Sequence, residues 1–275
     1  MKNTNRRFAP AFLVLASILI GCIEEGGAPE GVPGIPKKTG PKVVLIGDTA
    51  PAFEAESTSG PVKFPDDFAG RWVVLFSHPG DFTPVCTTEF MRFAVMKPEF
   101  DKFQCSLLGL SADTVESHMQ WLKEASKIRL GTISNVKFDF PVLADPALEI
   151  ARNYGMVHPK TLRKSTVRTV FVIDPNGIVR ATIAYPPTIG RDIDEILRLV
   201  VALQTADHYE VSTPANWRPG EDVILNPLPT EEENRARART PSLDYHSLAW
   251  FLCMKRLPDP ERTLRKVVWP VGEKK

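Results

Sequence analysis

The stretch FSHPGDFTPVCTTEF, residues 76–90, decides how the rest of the chain is read. It sets one cysteine, Cys86, three residues after Thr83 and three before Glu89, behind a loop that carries Pro79. An inert core thiol needs only apolar neighbours, and this one has polar ones. Thr83-Pro84 is a helix start, with threonine as the N-cap and proline at the first helical position. Cys86 then falls in the first turn, where unpaired backbone N–H groups and the positive end of the helix dipole favour an anion. The thiolate is the nucleophilic form of cysteine and the form oxidised to sulfenic acid. Thr83, one turn back, is placed to aim its hydroxyl at the sulfur, and Pro79 to close the pocket against water.

Around this stretch, strands and helices alternate. WVVLFS (72–77), CSLLGLSA (105–112), FPVLAD (140–145) and RTVFVID (168–174) read as buried strands. PNG (175–177) is a turn signal, so IVRATIAYP (178–186) returns as the second arm of a hairpin. Residues 83–103 read as a helix, as does TVESHMQWLKEASK (114–127) with Asp113 as its cap. PALEIARNYG (146–155) starts at Pro146 and stops at Gly155, and RDIDEILRLVVALQTADHY (191–209) is the longest amphipathic segment. The alternation predicts an α/β fold with a mixed central sheet flanked by helices.

A chain of 275 residues with a net charge of +1 is long enough for one sizeable core and gives no reason to expect nucleic acid. Four cysteines (Cys22, Cys86, Cys105, Cys253) without a C-x-x-C pair fit neither a disulfide scaffold nor a zinc site, and the five histidines show no metal spacing. No cofactor and no metal are expected. The 25 prolines cluster near the N-terminus and beyond residue 213, and both regions are expected to be irregular. The acidic run at 231–233 and the basic run at 235–239 read as a solvated face with local ion pairs.

The N-terminus begins with Lys2, Arg6 and Arg7, followed by an apolar run too short for a membrane span. That run ends in Leu19-Ile20-Gly21-Cys22, which resembles the lipobox of bacterial lipoproteins. The resemblance implies a signal peptide over 1–21, lipidation of Cys22, and a protein held at the membrane in the cell envelope or periplasm. An uncleaved anchor or an ordinary secretory signal is the bland alternative. Residues 22–42 are a Gly/Pro-rich flexible tether, 43–211 the main domain, and 212–275 a proline-broken C-terminal arm expected to pack on that domain or on another subunit.

Pro79-x-x-x-Thr83-x-x-Cys86 resembles the active-site signature of the peroxiredoxins, and SHPGDFTPVCTTE is similar to their one-cysteine-type (peroxiredoxin-6-like) subgroup. The likeness extends through LGLSAD, GMVHP, VRTVFVIDP, YPPTIGRDIDEILRLV and TPANWRPGEDVILNPLP, over roughly residues 43–258. It implies a thioredoxin-like fold with a C-terminal dimerisation arm, in a homodimer or higher homo-oligomer. It also implies peroxide reduction, with a thiol reductant such as a thioredoxin-like protein or glutathione. By the same resemblance Cys86 is the peroxidatic cysteine. Arg168 holds the thiolate and the peroxide, Thr83 bonds both, and Glu89 and Arg191 orient Arg168. His78 bonds either to a peroxide or to Asp81. His158 is given no chemical role.

Cys105 reads as a structural thiol. Cys253, in LAWFLCMKR, has two readings. The resemblance makes it a resolving cysteine for a neighbouring subunit. Alternatively, it and its apolar neighbours simply bury the arm. A phospholipase is not expected, because Gly70-Arg71-Trp72 has no serine where a nucleophile elbow would need one. A thiol–disulfide oxidoreductase would need a C-x-x-C pair. The remaining rival is a non-enzymatic thioredoxin-fold binding or holdase lipoprotein, which would have no use for an activated thiolate.

Overall fold

The computed structural model describes residues 43–157 and 165–257. Cys22 and His158 lie outside these residues. The described chain opens with a small hairpin, β1 (Phe53–Ala55) and β2 (Val62–Phe64). It continues through β3 (Trp72–Ser77), α1 (Pro84–Lys102), β4 (Cys105–Ser111), α2 (Val115–Ala125) and β5 (Val142–Ala144). There follow α3 (Glu149–Asn153), β6 (Arg168–Ile173), β7 (Val179–Tyr185) and α4 (Ile193–Tyr209).

The five long-range strands form one sheet in the order β5-β4-β3-β6-β7. β3 runs parallel to β4, and β4 parallel to β5, while β6 and β7 run antiparallel, so the sheet is mixed, as the alternation of elements predicts. β3 is central and all six of its residues are buried, which is why its sequence is a continuous apolar run rather than an alternation. Its side chains still divide by the two-residue period. Val74 and Phe76 pack with α1 and α4 on one face, and Val73 and Leu75 with β2 and α3 on the other. Gly109 in β4 lets α1 come close, since a Cβ there would lie 3.1 Å from the Phe90 ring.

Three local readings need correction. Helix α2 is capped by Thr114, whose hydroxyl accepts from Ser117 N, and not by Asp113. The Asp113 carboxylate is committed elsewhere, accepting from Asp81 N at 3.0 Å and from Ser111 Oγ at 2.7 Å. Helix α3 begins at Glu149, three residues after Pro146, because Leu148 takes a left-handed φ of 57° that no helix start at the proline would allow.

The third correction concerns the arm, whose described residues carry regular elements between their loops. β8 (Val211–Ser212), β9 (Val223–Leu225), β10 (His246–Ala249) and β11 (Leu252–Lys255) form an antiparallel sheet in the order β10-β11-β9-β8. Val211, Trp217, Val223 and Leu257 join the apolar cluster built on α1 and α4, so the arm shares the core of the main domain. The charged runs belong to one helix, α5 (Glu231–Arg239), closed by a capping box between Thr230 and Glu233. Acid at its first turn and base at its last complement the helix dipole, and Arg235 pairs with Glu231 at 2.7 Å.

Candidate active site

Cys86 lies in the first turn of α1 and is fully buried. Glu89, one turn further along the same helix, faces the same way, as the i, i+3 spacing dictates. Arg168 is 82 residues away in sequence but opens β6, which runs antiparallel to β3. The start of β6 therefore lies beside the end of β3, where the chain turns toward Cys86. Arg191 stands just before Asp192, the N-cap of α4. Four segments thus meet at one point.

The donors and acceptors there can be counted. Arg168 Nη1 donates to Cys86 Sγ at 3.2 Å and to Glu89 Oε2 at 2.7 Å. Its Nε and Nη2 both donate to the carbonyl of Pro187, at 3.1 and 2.9 Å. Four of its five N–H groups are thereby placed, leaving one hydrogen on Nη2. Glu89 Oε1 accepts from Arg191 N and Nε at 2.8 and 2.9 Å, and Oε2 accepts from Arg191 Nη2 at 2.7 Å. Together with Arg168 these donors occupy all the lone pairs of the carboxylate. Arg191 Nη1 donates to Ser77 O at 2.9 Å, and its guanidinium lies over the rings of Phe76 and Phe93. Burial pulls the Arg191 guanidinium below its usual range, opposed by Glu89.

All four side chains are at least nine-tenths buried. Two guanidiniums against one carboxylate leave a buried surplus of one positive charge beside the sulfur. An anion on Cys86, or one developing on a bound oxygen, balances it.

Thr83 is the N-cap of α1 by position, but its hydroxyl does not cap the helix and does not point its hydrogen at the sulfur. Thr83 Oγ1 donates to Gly80 O at 2.8 Å, so the oxygen is left as an acceptor facing the loop. Pro79 is half-buried in that loop, between β3 and α1. His78 is fully buried with Nε2 3.0 Å from Asp81 Oδ1, its ring stacked on Trp121. Burial lowers its tendency to protonate, and Nδ1 has no partner. Of its two expected roles it takes the bond to Asp81.

Three contributors escaped the sequence reading: the Pro187 carbonyl, Ser117 and His118. His118 left a signal, since His118, Trp121, Leu122 and Ala125 sit at helical spacing and form the buried face of α2. The ligand atoms of His78, Asp81 and His118 lie within 4.8 Å of one another, close enough to converge on a cation. They face one another in hydrogen bonds instead. The Asp81 carboxylate faces both rings and accepts from Ser117 Oγ, and the far nitrogen of His118 lies 3.1 Å from Leu143 O, so the atoms that could ligate are engaged with one another.

Cys105 is fully buried in β4, and burial pushes its thiol up far beyond the ordinary range. Cys253 is buried in β11, with Sγ 3.1 Å from Ser247 Oγ on β10. Cys86, Cys105 and Cys253 are free thiols, and no disulfide joins them.

Residues 46–182 match the AhpC/TSA family, and residues 202–240 match the C-terminal domain of 1-Cys peroxiredoxin. A peroxiredoxin of Methanosarcina mazei is 49% identical over 213 residues, covering 77% of this chain and 97% of that protein. Among solved structures, the yeast mitochondrial 1-Cys peroxiredoxin aligns with a TM-score of 0.67 at 38% identity, over 78% of this chain and 100% of that one. That structure concerns thiol resolution through the glutathione/thioredoxin systems. A cysteine-to-serine mutant of peroxiredoxin 6 of Arenicola marina aligns with a TM-score of 0.68 at 35% identity, over 78% of this chain and 99% of that one.

Proposed function

Because this chain belongs to the peroxiredoxin family, and is therefore a thiol peroxidase, we propose that Cys86 is its peroxidatic cysteine, acting on hydrogen peroxide and organic hydroperoxides. The observation that carries this assignment is the 3.2 Å bond from Arg168 Nη1 to Cys86 Sγ, made by a guanidinium that Glu89 and the Pro187 carbonyl fix in place.

In the first step a lone pair of the Cys86 thiolate attacks one peroxide oxygen. The S–O bond forms as the O–O bond breaks, and sulfur gives up two electrons. The second oxygen leaves as hydroxide or alkoxide and takes a proton to become water or alcohol. Negative charge moves from sulfur to the leaving oxygen, and the surplus positive charge of the Arg168–Glu89–Arg191 cluster spans that path. The remaining Nη2 hydrogen of Arg168 is the donor for the oxygen that leaves. Thr83, its own hydrogen spent on Gly80, accepts from the peroxide O–H and fixes its orientation. In the second half a thiol condenses with the sulfenic acid, releasing water. A further thiol reduces the mixed disulfide and restores Cys86. The yeast relative's link to the glutathione/thioredoxin systems supports a reductant of that class.

Leu243, Leu248 and Phe251 of the arm are exposed, which supports pairing with a second copy. The basic start, apolar run and Leu19-Ile20-Gly21-Cys22 of the N-terminus support a lipoprotein tethered at the cell envelope. Metabolic labelling with a fatty-acid analogue tests this, with Cys22→Ala as the unlabelled control. A wild-type protein that takes up no label overturns it. The peroxidase assignment is tested by peroxide consumption with dithiothreitol as reductant. The wild type turns over and Cys86→Ser does not, and a Cys86→Ser protein working at the wild-type rate overturns the assignment.

A further inference from the structure

The loop that carries Pro79 and Thr83 is fastened from below by a second buried cluster. His78 and His118 are fully buried, and Asp81 nearly so. Asp81 Oδ1 faces His78 Nε2 and His118 Nδ1, both at 3.0 Å, and Oδ2 accepts from Ser117 Oγ at 2.7 Å. The other ring nitrogen of His118, Nε2, lies 3.1 Å from Leu143 O. Each ring nitrogen of His118 therefore faces an oxygen, the Asp81 carboxylate on one side and the Leu143 carbonyl on the other. The buried Asp81–His118 contact thus ties the loop to α2 and, through Leu143, to β5. Hydrogen bonds from His118, His78 and Ser117 outweigh burial at Asp81 and hold its carboxyl well below the usual range.

The tie has something to hold. Phe82, between Asp81 and Thr83, has a φ of 55°, a left-handed conformation that bulky side chains rarely adopt. Its side chain is more than half exposed. What secures the backbone is Asp81 on one side and the Thr83–Gly80 bond on the other. We propose that the Asp81–His118 pair is a clamp that keeps the loop in this conformation, and that His118 is thereby a positioning residue for Thr83 and the first turn of α1. The proposal rests on the reading of Cys86 as the peroxidatic cysteine.

Two substitutions separate the two bonds of the ring. In His118→Asn the amide nitrogen takes the place of Nδ1 and keeps the bond to Asp81. In His118→Gln it takes the place of Nε2 and keeps the bond to Leu143 O. Both lose the ring and are expected to lose a similar amount of thermal stability. Their chemistry separates. His118→Gln slows the second-order oxidation of Cys86 by hydrogen peroxide about tenfold or more, since small misplacements of reacting groups cost rate heavily. The same variant speeds alkylation of Cys86 by iodoacetamide, because the loosened loop uncovers the sulfur. His118→Asn stays within about threefold of wild type with both reagents. Ser117→Ala, which removes one donor to Asp81 and leaves both histidines, gives the same divergence at smaller amplitude if His118→Gln folds poorly. Equal peroxide rates in His118→Gln and His118→Asn overturn the clamp. So does a fall of both reagents by one common factor, which marks lost folded protein. A wild-type Cys86 that does not react with peroxide overturns the clamp and the catalytic assignment together.

Discussion

Nη1 of Arg168 donates to the sulfur of Cys86 at 3.2 Å, and the opposite edge of the same guanidinium is held by Pro187 O. A planar fork is needed to reach both sides at once. Arg168→Lys keeps the charge and loses the fork. The rate of Cys86 oxidation is expected to fall by about 10²–10³, the cost of removing one aimed donor at a charged transition state. Stopped-flow measurement with hydrogen peroxide reads it. A lysine variant within about twofold of wild type would show that charge alone suffices.

Glu89 separates two guanidiniums that are both buried. In Glu89→Gln the shared negative charge is gone and the two cations face each other with little solvent between them. Breaking a buried pair in this way costs ~3–5 kcal/mol, so a clear drop in the denaturation midpoint is expected together with loss of peroxidase rate. A Glu89→Gln protein as stable as wild type would mean that water reaches this cluster.

The acid limb of stability should carry the mark of His78. Burial lowers its folded pKa below the ordinary value, although Asp81 pulls the other way. Below about pH 6.5 the unfolded chain binds a proton at this residue and the folded chain does not. The contribution is therefore present above about pH 6.5 and is lost as pH falls, at no more than about 1.4 kcal/mol per pH unit. Asp81, with its folded carboxyl depressed, adds a second loss of the same sign below about pH 4. Urea unfolding of wild type and His78→Gln at pH 8, 6.5 and 5 isolates the first part as a difference. The gap between the two proteins should narrow on acidification, and a constant gap would contradict this.

Cys253 is sealed between β10 and β9, and Cys86 is sealed at the start of α1. If Cys253 of one subunit is to meet Cys86 of another, both sulfurs must first be uncovered. After one equivalent of peroxide, sulfenic acid trappable by dimedone should therefore appear first, and a dimer on non-reducing gels only later. Cys253→Ser should remove the dimer and leave the sulfenic acid. A wild-type protein that forms no such dimer acts as a strict one-cysteine enzyme, and Cys253 is then simply a core residue of the arm.

The main sheet was legible because four of its five strands run six or seven residues and are separated by recognisable helix starts such as Thr83-Pro84 and turns such as Pro175-Asn176-Gly177. The strands of the arm were not, because segments of two to four residues such as β8 and β11 show no period. Asp113 and Thr114 both fit a cap, and only the tertiary need of Asp81 N for an acceptor decides between them. The place of Cys86 in the first turn of α1 was legible from one local string, but the bond of Thr83 Oγ1 to Gly80 O was not. Arg168 and Arg191 gained meaning from the resemblance alone, since nothing in a strand-end arginine announces a sulfur 82 residues away. Pro187 could not be read at all, because it contributes a carbonyl that every residue possesses.

The surplus positive charge beside Cys86 also shapes how the enzyme fails. A sulfenic acid attacked by a second peroxide becomes a sulfinate, which is permanently anionic near neutral pH and is not reduced by ordinary thiols. In most protein interiors such a charge would strain the fold. Here it would settle into an ion pair with Arg168, in a cluster that lacks one negative charge. On the proposed role of Cys86, the same arrangement that stabilises the first oxidation makes overoxidised protein a dead end, folded and inert.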